Sequence, residues 1–212
     1  MSVVCISGTD GARAGEVASV VAGRLGFRLI NEHIIVRAAR EAGLDPHVVA
    51  DVELRKSFLK RLLEGLGPTA GDAALAMGGG AVASMREIPT SADLRALIRA
   101  AIEEIAEQGS AVIYAHAASI ALAKRDDVVR VLIIASPETR RARVASDGQL
   151  GGKEAAKLVR ESDAARADYL RQFYGVEEEV PTLYDLVVNT DRLSPEQAAE
   201  VVLEAVGSPA DV

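Results

Sequence analysis

The chain has 212 residues, with 49% hydrophobic, 26% charged and only 3% aromatic side chains, and its formal net charge is −7. This length and composition predict one globular domain whose core consists mainly of small aliphatic side chains. The acidic balance argues against a general nucleic-acid binder, because such a protein needs a basic face to replace the counterions of the phosphate backbone.

The chain opens with the pattern of a buried strand that leads through a glycine-rich turn into a helix. Residues 3–7 are an uninterrupted apolar run, residues 8–11 are typical of a turn, and valines recur at helical spacing from Arg13. Short apolar runs predict four further strands, at residues 27–30, 111–115, 128–135 and 183–190. Amphipathic spacing predicts helices at residues 34–41, 48–66, 94–105, 118–124, 137–144, 153–174 and 194–206.

Two segments between these elements differ from the rest in composition. Residues 67–84 hold three consecutive glycines and many alanines, which favours a loop or mobile insertion, or alternatively a loosely packed helix around residues 73–77. Residues 147–152 form a polar, glycine-rich break before the long charged helix. Ser194 and Gln197 have the spacing of a capping box, which places the start of the last helix there.

The alternation of strands and helices predicts an α/β fold with a parallel sheet covered on both faces. Ligands of such sheets bind beyond the carboxyl ends of the strands, so the turn after the first strand is the place to expect chemistry. Residues 8–16 have the placement of a phosphate loop, G-x-x-x-x-G-K-[ST], but they contain no lysine, no Ser or Thr opens the helix, and Arg13 is their only cation. On these residues alone, an ordinary strand–turn–helix connection explains the segment equally well.

Six segments match the sequence motifs of a known family, and they occur in the same order along the chain. They are Ile6-Ser7 with Gly11 and Glu16-Val17-Ala18; Leu25-Gly26-Phe27 with residues 31–35; residues 109–118; residues 128–131 with 137–144; residues 160–166 with Tyr169, Phe173 and Tyr174; and residues 184–190. Together they resemble the cytidylate kinase-like family, a branch of the P-loop nucleoside monophosphate kinases. The last two segments are the most specific matches.

The resemblance implies a P-loop kinase-type three-layer α/β fold with a parallel five-stranded sheet, helices on both faces and a helical lid. It implies a single domain over residues 1–207, with a flexible insertion at about 67–90, a lid at about 147–174 and a tail at 208–212. The implied ligand is a nucleotide. The implied cofactor of an active enzyme is ATP with Mg²⁺, the metal arriving with the nucleotide.

Three groups of residues are candidates for the site that the resemblance implies. Candidates for catalysis are Arg13, Arg160 and Arg166; candidates for binding the cofactor are Gly8, Gly11, Ala12, Arg13, Ala14, Gly15, Glu16 and Arg140; candidates for binding the substrate are Asn31, His116 and Asp163. We expect Asp163 to orient the arginines rather than to act as a base. Residues 140–171 contain eight Lys or Arg against five acids, although a solvated helix with i,i+3 ion pairs explains this excess too. No Cys/His or Asp/Glu cluster has metal-ligand spacing.

The departures from the family pattern gather at the expected site. Gly15 stands where the family has an arginine, Ala12 and Ala14 replace Ser and Gly, residues 115–117 replace G-R-G, and Asn31 replaces an aspartate. Phosphoryl transfer depends on cations at the transferring group, so these losses predict weak or altered chemistry. Two main interpretations of the function remain open. The protein is either a kinase for a pyrimidine monophosphate, or a non-catalytic nucleotide sensor or scaffold. An enzyme for another phosphate-bearing substrate is a third.

The compartment and partners follow from cysteine use and hydropathy. Cys5 is the only cysteine, so an internal disulfide is impossible and a reducing compartment fits. The pattern of a signal peptide is missing, and no apolar run approaches 18 residues free of charge. We therefore expect a cytoplasmic protein that binds nucleotide, neither nucleic acid nor membrane, and whose aliphatic helices are compatible with a homodimer.

The basic excess and the glycine-rich break predict that residues 147–174 move as a helical flap over the phosphates. Replacing Arg160 and Arg166 together by Ala should weaken nucleotide binding and reduce its dependence on salt, because two cations leave the site. Titration of ATP at two ionic strengths measures both effects. Unchanged affinity in the double variant would remove the flap from the binding site.

Overall fold

Five parallel strands form one sheet in the order β2–β3–β1–β4–β5. The structure, a computed structural model, describes residues 3–31, 99, 102–115 and 117–207. The strands are β1 Val3–Gly8, β2 Arg28–Ile30, β3 Ala111–Tyr114, β4 Val128–Ile134 and β5 Leu186–Asn189. The helices are α1 Ala14–Leu25, α2 at residues 102–108, α3 Ala118–Ala121, α4 Pro137–Gly148, α5 Gly152–Tyr174 and α6 Pro195–Val206.

Strand β1 lies at the centre of the sheet and is buried along its whole length. Val3 is in register with Ala111 of β3 on one side and with Val128 of β4 on the other, and both pairings are parallel. A strand covered on both faces needs a continuous apolar run rather than alternation, which is why this segment is recognisable in the sequence. The prediction of a parallel sheet whose first strand includes residues 3–7, followed by a helix near Arg13, is confirmed.

The side chains of β1 divide the core into two layers because successive residues of a strand point to opposite faces. Val4 and Ile6 pack in a cluster with aliphatic residues of α1 and α6, such as Val17 and Val202. Val3 and Cys5 pack on the other face with residues of α2 and α3. The sheet is therefore the middle of three layers, as the family resemblance implies. Burial raises the pKa of the Cys5 thiol to about 12, so this cysteine is a protonated core residue.

Helix α4 is longer than the sequence pattern suggested. It begins at Pro137, after the side chain of Ser136 accepts a hydrogen bond from the N–H of Thr139, and it continues to Gly148 rather than ending at residue 144. Gln149 in the left-handed conformation ends it, and the N–H of Leu150 reaches back to the carbonyl of Ala145. The polar composition of the last turn hid its helicity, because that turn lies on the surface.

Strand β5 is shorter than predicted because the residues before it form a 3₁₀ turn, Pro181–Leu183. Asp185 then binds Arg130 of β4 through both carboxylate oxygens, at 2.6 and 3.0 Å, and also accepts the Arg130 N–H at 2.8 Å. Ladder pairing with β4 follows from Leu186 to Asn189. Helix α3 is also short, ending at Ala121 where the chain continues as a turn.

The capping box predicted for α6 is present. The Ser194 hydroxyl accepts the Gln197 N–H at 3.3 Å, and the Gln197 side chain accepts the Ser194 N–H at 2.9 Å. Pro195 occupies the first position of the helix.

Several sequence-based predictions fall on parts of the chain outside the described residues. They are the helices at residues 34–41 and 48–66, the glycine-rich segment at 67–84, the N-terminal part of the helix at 94–105, His116 and the tail at 208–212. Within the described part of the chain, no helix combines the length and the apolar character needed to cross a membrane.

Two glycines, Gly8 at the end of β1 and Gly23 in α1, give a stability test with an internal control. A Cβ at Gly8 would overlap the Cβ of Ala14 and lie 3.0 Å from the carbonyl oxygen of Ile133, whereas a Cβ at Gly23 meets nothing within 4 Å. Gly8→Ala should lower the free energy of unfolding by about 1–3 kcal/mol through overpacking. Gly23→Ala should raise it by about 0.5–1 kcal/mol, because Ala is the better helix former. Urea unfolding measures both, and equal effects would contradict this account.

Candidate active site

The loop between β1 and α1 has the backbone shape of an anion-binding nest. Gly11 has φ +79° and Arg13 has φ +63°, on either side of Ala12, and the helical backbone of α1 begins at Ala14. Alternation of left- and right-handed conformations turns successive N–H groups to the same side, where they add to the positive end of the helix dipole. Gly11 packs closely against α4, since a Cβ there would lie 2.8 Å from the carbonyl oxygen of Arg140. We name residues 8–13 the phosphate loop.

Arg13 occupies a backbone conformation that normally belongs to glycine, and a side chain there stores strain. Its guanidinium lies 3.7 Å from the carboxylate of Glu16. The pKa of Glu196 in α6 is lowered, mainly by a hydrogen bond from Ser194 and in smaller part by the charge of Arg13. The Nε atom of Arg13 is buried without a hydrogen-bond partner in the described structure. Arg13 therefore pairs with Glu16 at the end of the sheet where the phosphate loop lies.

The carbonyl groups of the phosphate loop are held from outside by four side chains, which we name the carbonyl clamp. The donors and their acceptors are Arg166 to Gly8 at 3.5 Å, Arg140 to Asp10 at 2.6 Å, Arg143 to Gly11 at 3.0 Å and Thr190 to Ala12 at 2.9 Å. Hydrogen bonding on the carbonyl side fixes the direction of the peptide planes. Within the loop the Ala12 N–H donates to the Thr9 carbonyl at 3.0 Å, which closes a turn. The side-chain donors and this turn together fix the backbone at the start of α1.

Arg140 joins the phosphate loop to α5. While its Nε donates to the Asp10 carbonyl, its two terminal nitrogens donate to the Asp163 carboxylate at 3.0 and 2.6 Å. Arg140 is buried and the Asp163 side chain is 43% exposed. The partner of Asp163 is therefore Arg140 of α4 rather than an arginine on its own helix, and its role in orienting an arginine at the site stays a prediction.

A second buried ion pair lies beneath the start of the loop. Arg166 of α5 donates to both oxygens of Glu179 at 2.7 and 2.5 Å, and the Tyr184 hydroxyl donates to the same carboxylate. Burial lowers the pKa of Arg166, but the hydrogen bonds and charge of Glu179 outweigh burial and raise it. Burial and the Glu179 contact raise the pKa of Tyr184 above its ordinary value. Arg166 is therefore a charged group with a fixed partner.

Two buried serines, Ser7 at the end of β1 and Ser119 in α3, also lie near the start of the loop. The Ser7 hydroxyl lies 3.3 Å from the Ser119 hydroxyl and 3.3 Å from the carbonyl oxygen of Ala115. Ser7 and Ser119 are both buried, and the two contacts join the end of β1 to α3 and to the residue that follows β3. The phosphate loop thus begins from a fixed point between the two strands.

The remaining predicted site residues lie around the loop at different depths. Ala12 and Ala14 are buried, and Glu16 and Arg160 are exposed. Asn31 directly follows β2 at the same end of the sheet and is half-buried. Gly15, in the first turn of α1, lies under the ring of Tyr114, since a Cβ there would be 3.2 Å from its Cε1 atom. His116 is outside the described residues.

Four residues of the site were not among those predicted from the sequence: Arg143, Glu179, Tyr184 and Thr190. A signal existed for three of them, because Tyr184 and Thr190 end the most specific motif match and Arg143 lies beside Arg140 on α4. That motif was interpreted as a marker of the fold only. Glu179 lies in an acidic stretch with no pattern to distinguish it from its neighbours.

The residues at the start of α1 do not supply the usual protein ligand of Mg²⁺. A phosphate loop places a Ser or Thr hydroxyl there, and this chain has Gly15 and Glu16. Glu16 is exposed and lies 3.7 Å from Arg13. Across residues 3–31, 99, 102–115 and 117–207, no three His, Cys, Asp or Glu side chains are placed to hold a metal ion. What the described loop offers to a phosphate is therefore backbone N–H groups, with arginines close behind them.

Comparison with known proteins gives this arrangement a family. The model of the cytidylate kinase-like family matches residues 3–192. A cytidylate kinase from Ignicoccus hospitalis is 28% identical over 203 residues, which cover 95% of this chain and 97% of that protein. A cytidylate kinase from Thermoplasma volcanium is 31% identical over 77 residues, covering 36% of this chain and 40% of that protein.

Solved structures agree at the level of the fold. An uncharacterized protein from Eubacterium ventriosum superposes with a TM-score of 0.64 at 14% identity, covering 97% of this chain and 98% of that one. A shikimate kinase from Bacteroides thetaiotaomicron gives 0.53 at 16% identity, with coverage of 97% and 98%. The sheet order, the loop after β1 and the match over residues 3–192 have one consequence: the chain belongs to the cytidylate kinase-like family.

Proposed function

We propose that the protein transfers the γ-phosphoryl group of ATP to a pyrimidine nucleoside monophosphate, at a rate well below that of ordinary kinases. The observation that carries the proposal is the phosphate loop, whose N–H groups form a nest at the start of α1 while the carbonyl clamp holds its other side. Two relatives are cytidylate kinases, which makes CMP the first acceptor to test.

The low rate follows from how the cations near the loop are engaged. Arg140 and Arg166 are each paired with a carboxylate, Asp163 and Glu179, and each also donates to a loop carbonyl. Gly15 provides neither a cation nor a hydroxyl. The charge that develops on the transferring group is stabilised mainly by preorganised cations and N–H donors, so a site with few uncommitted cations is slow.

The second candidate is a non-catalytic relative that binds nucleotide as a sensor or scaffold. The same engagement of Arg140 and Arg166 favours it, because the nest is preserved while the cations beside it are committed to carboxylates. A thermal-shift panel of ATP, CMP, UMP, AMP and GMP separates nucleotide binding from turnover, since a ligand that binds only the folded state raises the melting temperature. Another phosphate-bearing substrate becomes the leading candidate if none of the five shifts it.

The catalytic proposal predicts slow turnover that improves when cations are restored. In a coupled assay at saturating ATP and CMP or UMP, we expect the natural protein to turn over far below about 1 s⁻¹, the lower end of the kinase range. The double variant Gly15→Arg and His116→Arg should be faster. Gly15→Ala with His116→Ala is the matched control, because it adds the same Cβ against Tyr114, 3.2 Å away, without the charge.

The outcomes of this assay separate the readings. Turnover of about 1 s⁻¹ or faster in the natural protein would mean that Arg13 or an arginine of α5 already supplies the missing cation. Turnover only in the restored variant would mean that the site has lost its activity and supports the non-catalytic candidate. No turnover in either protein, together with nucleotide binding, would place the deficit elsewhere, with Asn31 as the next position to restore to Asp.

The two arginines of α5 should behave differently when each is replaced by Ala. Arg166→Ala leaves Glu179 buried without its partner and should lower the free energy of unfolding by about 3 kcal/mol. Arg160 is exposed, so Arg160→Ala should change stability by less than about 0.5 kcal/mol. If α5 closes over the phosphates, Arg160→Ala should nevertheless weaken ATP binding, measured by calorimetry. An unchanged dissociation constant would take Arg160 out of the site.

A further inference from the structure

We infer that Thr190 and Arg143 are positioning residues, which hold the carbonyls of Gly11 and Ala12 so that the phosphate loop keeps its turn and presents the N–H of Arg13 to the phosphates. This inference rests on the proposed function for its ligand, the phosphate chain of ATP. Its structural part concerns the conformation of the loop in the free protein and is open to test without any ligand.

Thr190 connects the loop to the sheet. It is fully buried directly after β5, and its N–H donates to the carbonyl of Ile134 at 2.8 Å, which extends the ladder between β4 and β5. Its hydroxyl lies 2.9 Å from the carbonyl oxygen of Ala12 and 3.2 Å from that of Ile134. The shorter contact, to Ala12, fixes the loop to the rigid end of two strands.

Arg143 completes the connection from the opposite side. One terminal nitrogen of Arg143 donates to the Gly11 carbonyl at 3.0 Å and to the Thr190 hydroxyl at 3.1 Å, and the other donates to the Thr190 carbonyl at 2.5 Å. The first of these nitrogens donates to the Thr190 hydroxyl oxygen. The hydroxyl proton of Thr190 therefore remains free to bond a carbonyl such as that of Ala12. The two side chains therefore act as one unit on two consecutive loop peptides.

The pair differs from the rest of the carbonyl clamp in what lies behind it. Arg140 and Arg166 are each paired with a carboxylate. The partner of Arg140 is Asp163 on α5, and the partner of Arg166 is Glu179 in the segment that follows α5. Thr190 and Arg143 depend on β4, β5 and α4 instead. A movement of α5 would disturb Arg140 and Arg166, while Gly11 and Ala12 would stay fixed to the sheet.

These two peptides are the ones whose conformation makes the nest. Gly11 and Arg13 have positive φ on either side of Ala12, the Ala12 N–H closes a turn on the Thr9 carbonyl, and the Gly11 and Ala12 carbonyls point to the side-chain donors. Without donors at the carbonyls of Gly11 and Ala12, less holds Arg13 in its strained conformation, since a non-glycine residue favours negative φ. The pair thus maintains a conformation that the local sequence disfavours.

The test uses Thr190→Val, which keeps the shape and removes the hydroxyl, and Thr190→Ser, which restores it. Arg143→Met provides an independent second variant in case Thr190→Val does not fold. Arg141→Met is the matched control, because Arg141 lies on the same helix, is 43% exposed and pairs with Glu138 on the surface at 3.0 Å. Two quantities are measured on each protein: the ¹⁵N order parameters of residues 11–14 without ligand, and the dissociation constant of ATP.

In the natural protein and in Arg141→Met we expect loop order parameters near the rigid value of about 0.85, falling toward about 0.6 in Thr190→Val and Arg143→Met. ATP binding should weaken about tenfold in both, as expected for the loss of one well-placed hydrogen bond. Thr190→Ser should recover the order parameters and most of the affinity. A role in general stability alone would instead change the melting temperature without this selective loss of order in the loop.

The results distinguish failure of this inference from failure of the proposed function. Unchanged order parameters in Thr190→Val and Arg143→Met overturn the inference, whatever the ATP affinity. Lower order parameters with unchanged ATP affinity also overturn it, because the loop would then not serve phosphate binding. If the natural protein binds no ATP, the proposed function fails, while a selective fall in order at residues 11–14 still supports the positioning of the loop.

Discussion

The backbone carbonyls of the phosphate loop need hydrogen-bond donors, and the surroundings of the loop are arranged to provide them. Most carbonyls of this loop face the protein, where an unsatisfied polar group is costly. Arg140, Arg143, Arg166 and Thr190 supply the donors from α4, α5 and the end of β5.

The use of arginine for this task changes the electrostatics of the site. A guanidinium in a buried position needs a carboxylate, and Arg140 and Arg166 find theirs in Asp163 and Glu179. The basic excess of residues 140–171 is therefore largely compensated where it meets the loop. A cation that already satisfies a carbonyl and a carboxylate gives little to a transferring phosphoryl group, and the proposed low rate of transfer rests on this.

The fold and the location of the site could be predicted from the sequence, whereas the roles of individual residues could not. The apolar run of β1 and the glycine turn after it identify the central strand and the loop because both depend on local composition. Arg140 and Arg166 donate to carbonyls of the loop after β1, and Asp163 pairs with Arg140, while their contact with phosphates stays a prediction. Their contacts with carbonyls, and the part played by Glu179, depend on partners that sequence spacing does not reveal.

The sequence by itself determined the alternation of strands and helices, the capping box of α6, the glycine conformation at Gly11 and the family to which the motifs point, since each depends on neighbouring residues. The tertiary structure alone decided which arginine meets which acceptor. The clamp residues are separated from the loop carbonyls by 130 to 178 positions along the chain. Only the parallel sheet, by placing the ends of β1, β4 and β5 side by side, brings these groups within hydrogen-bonding distance.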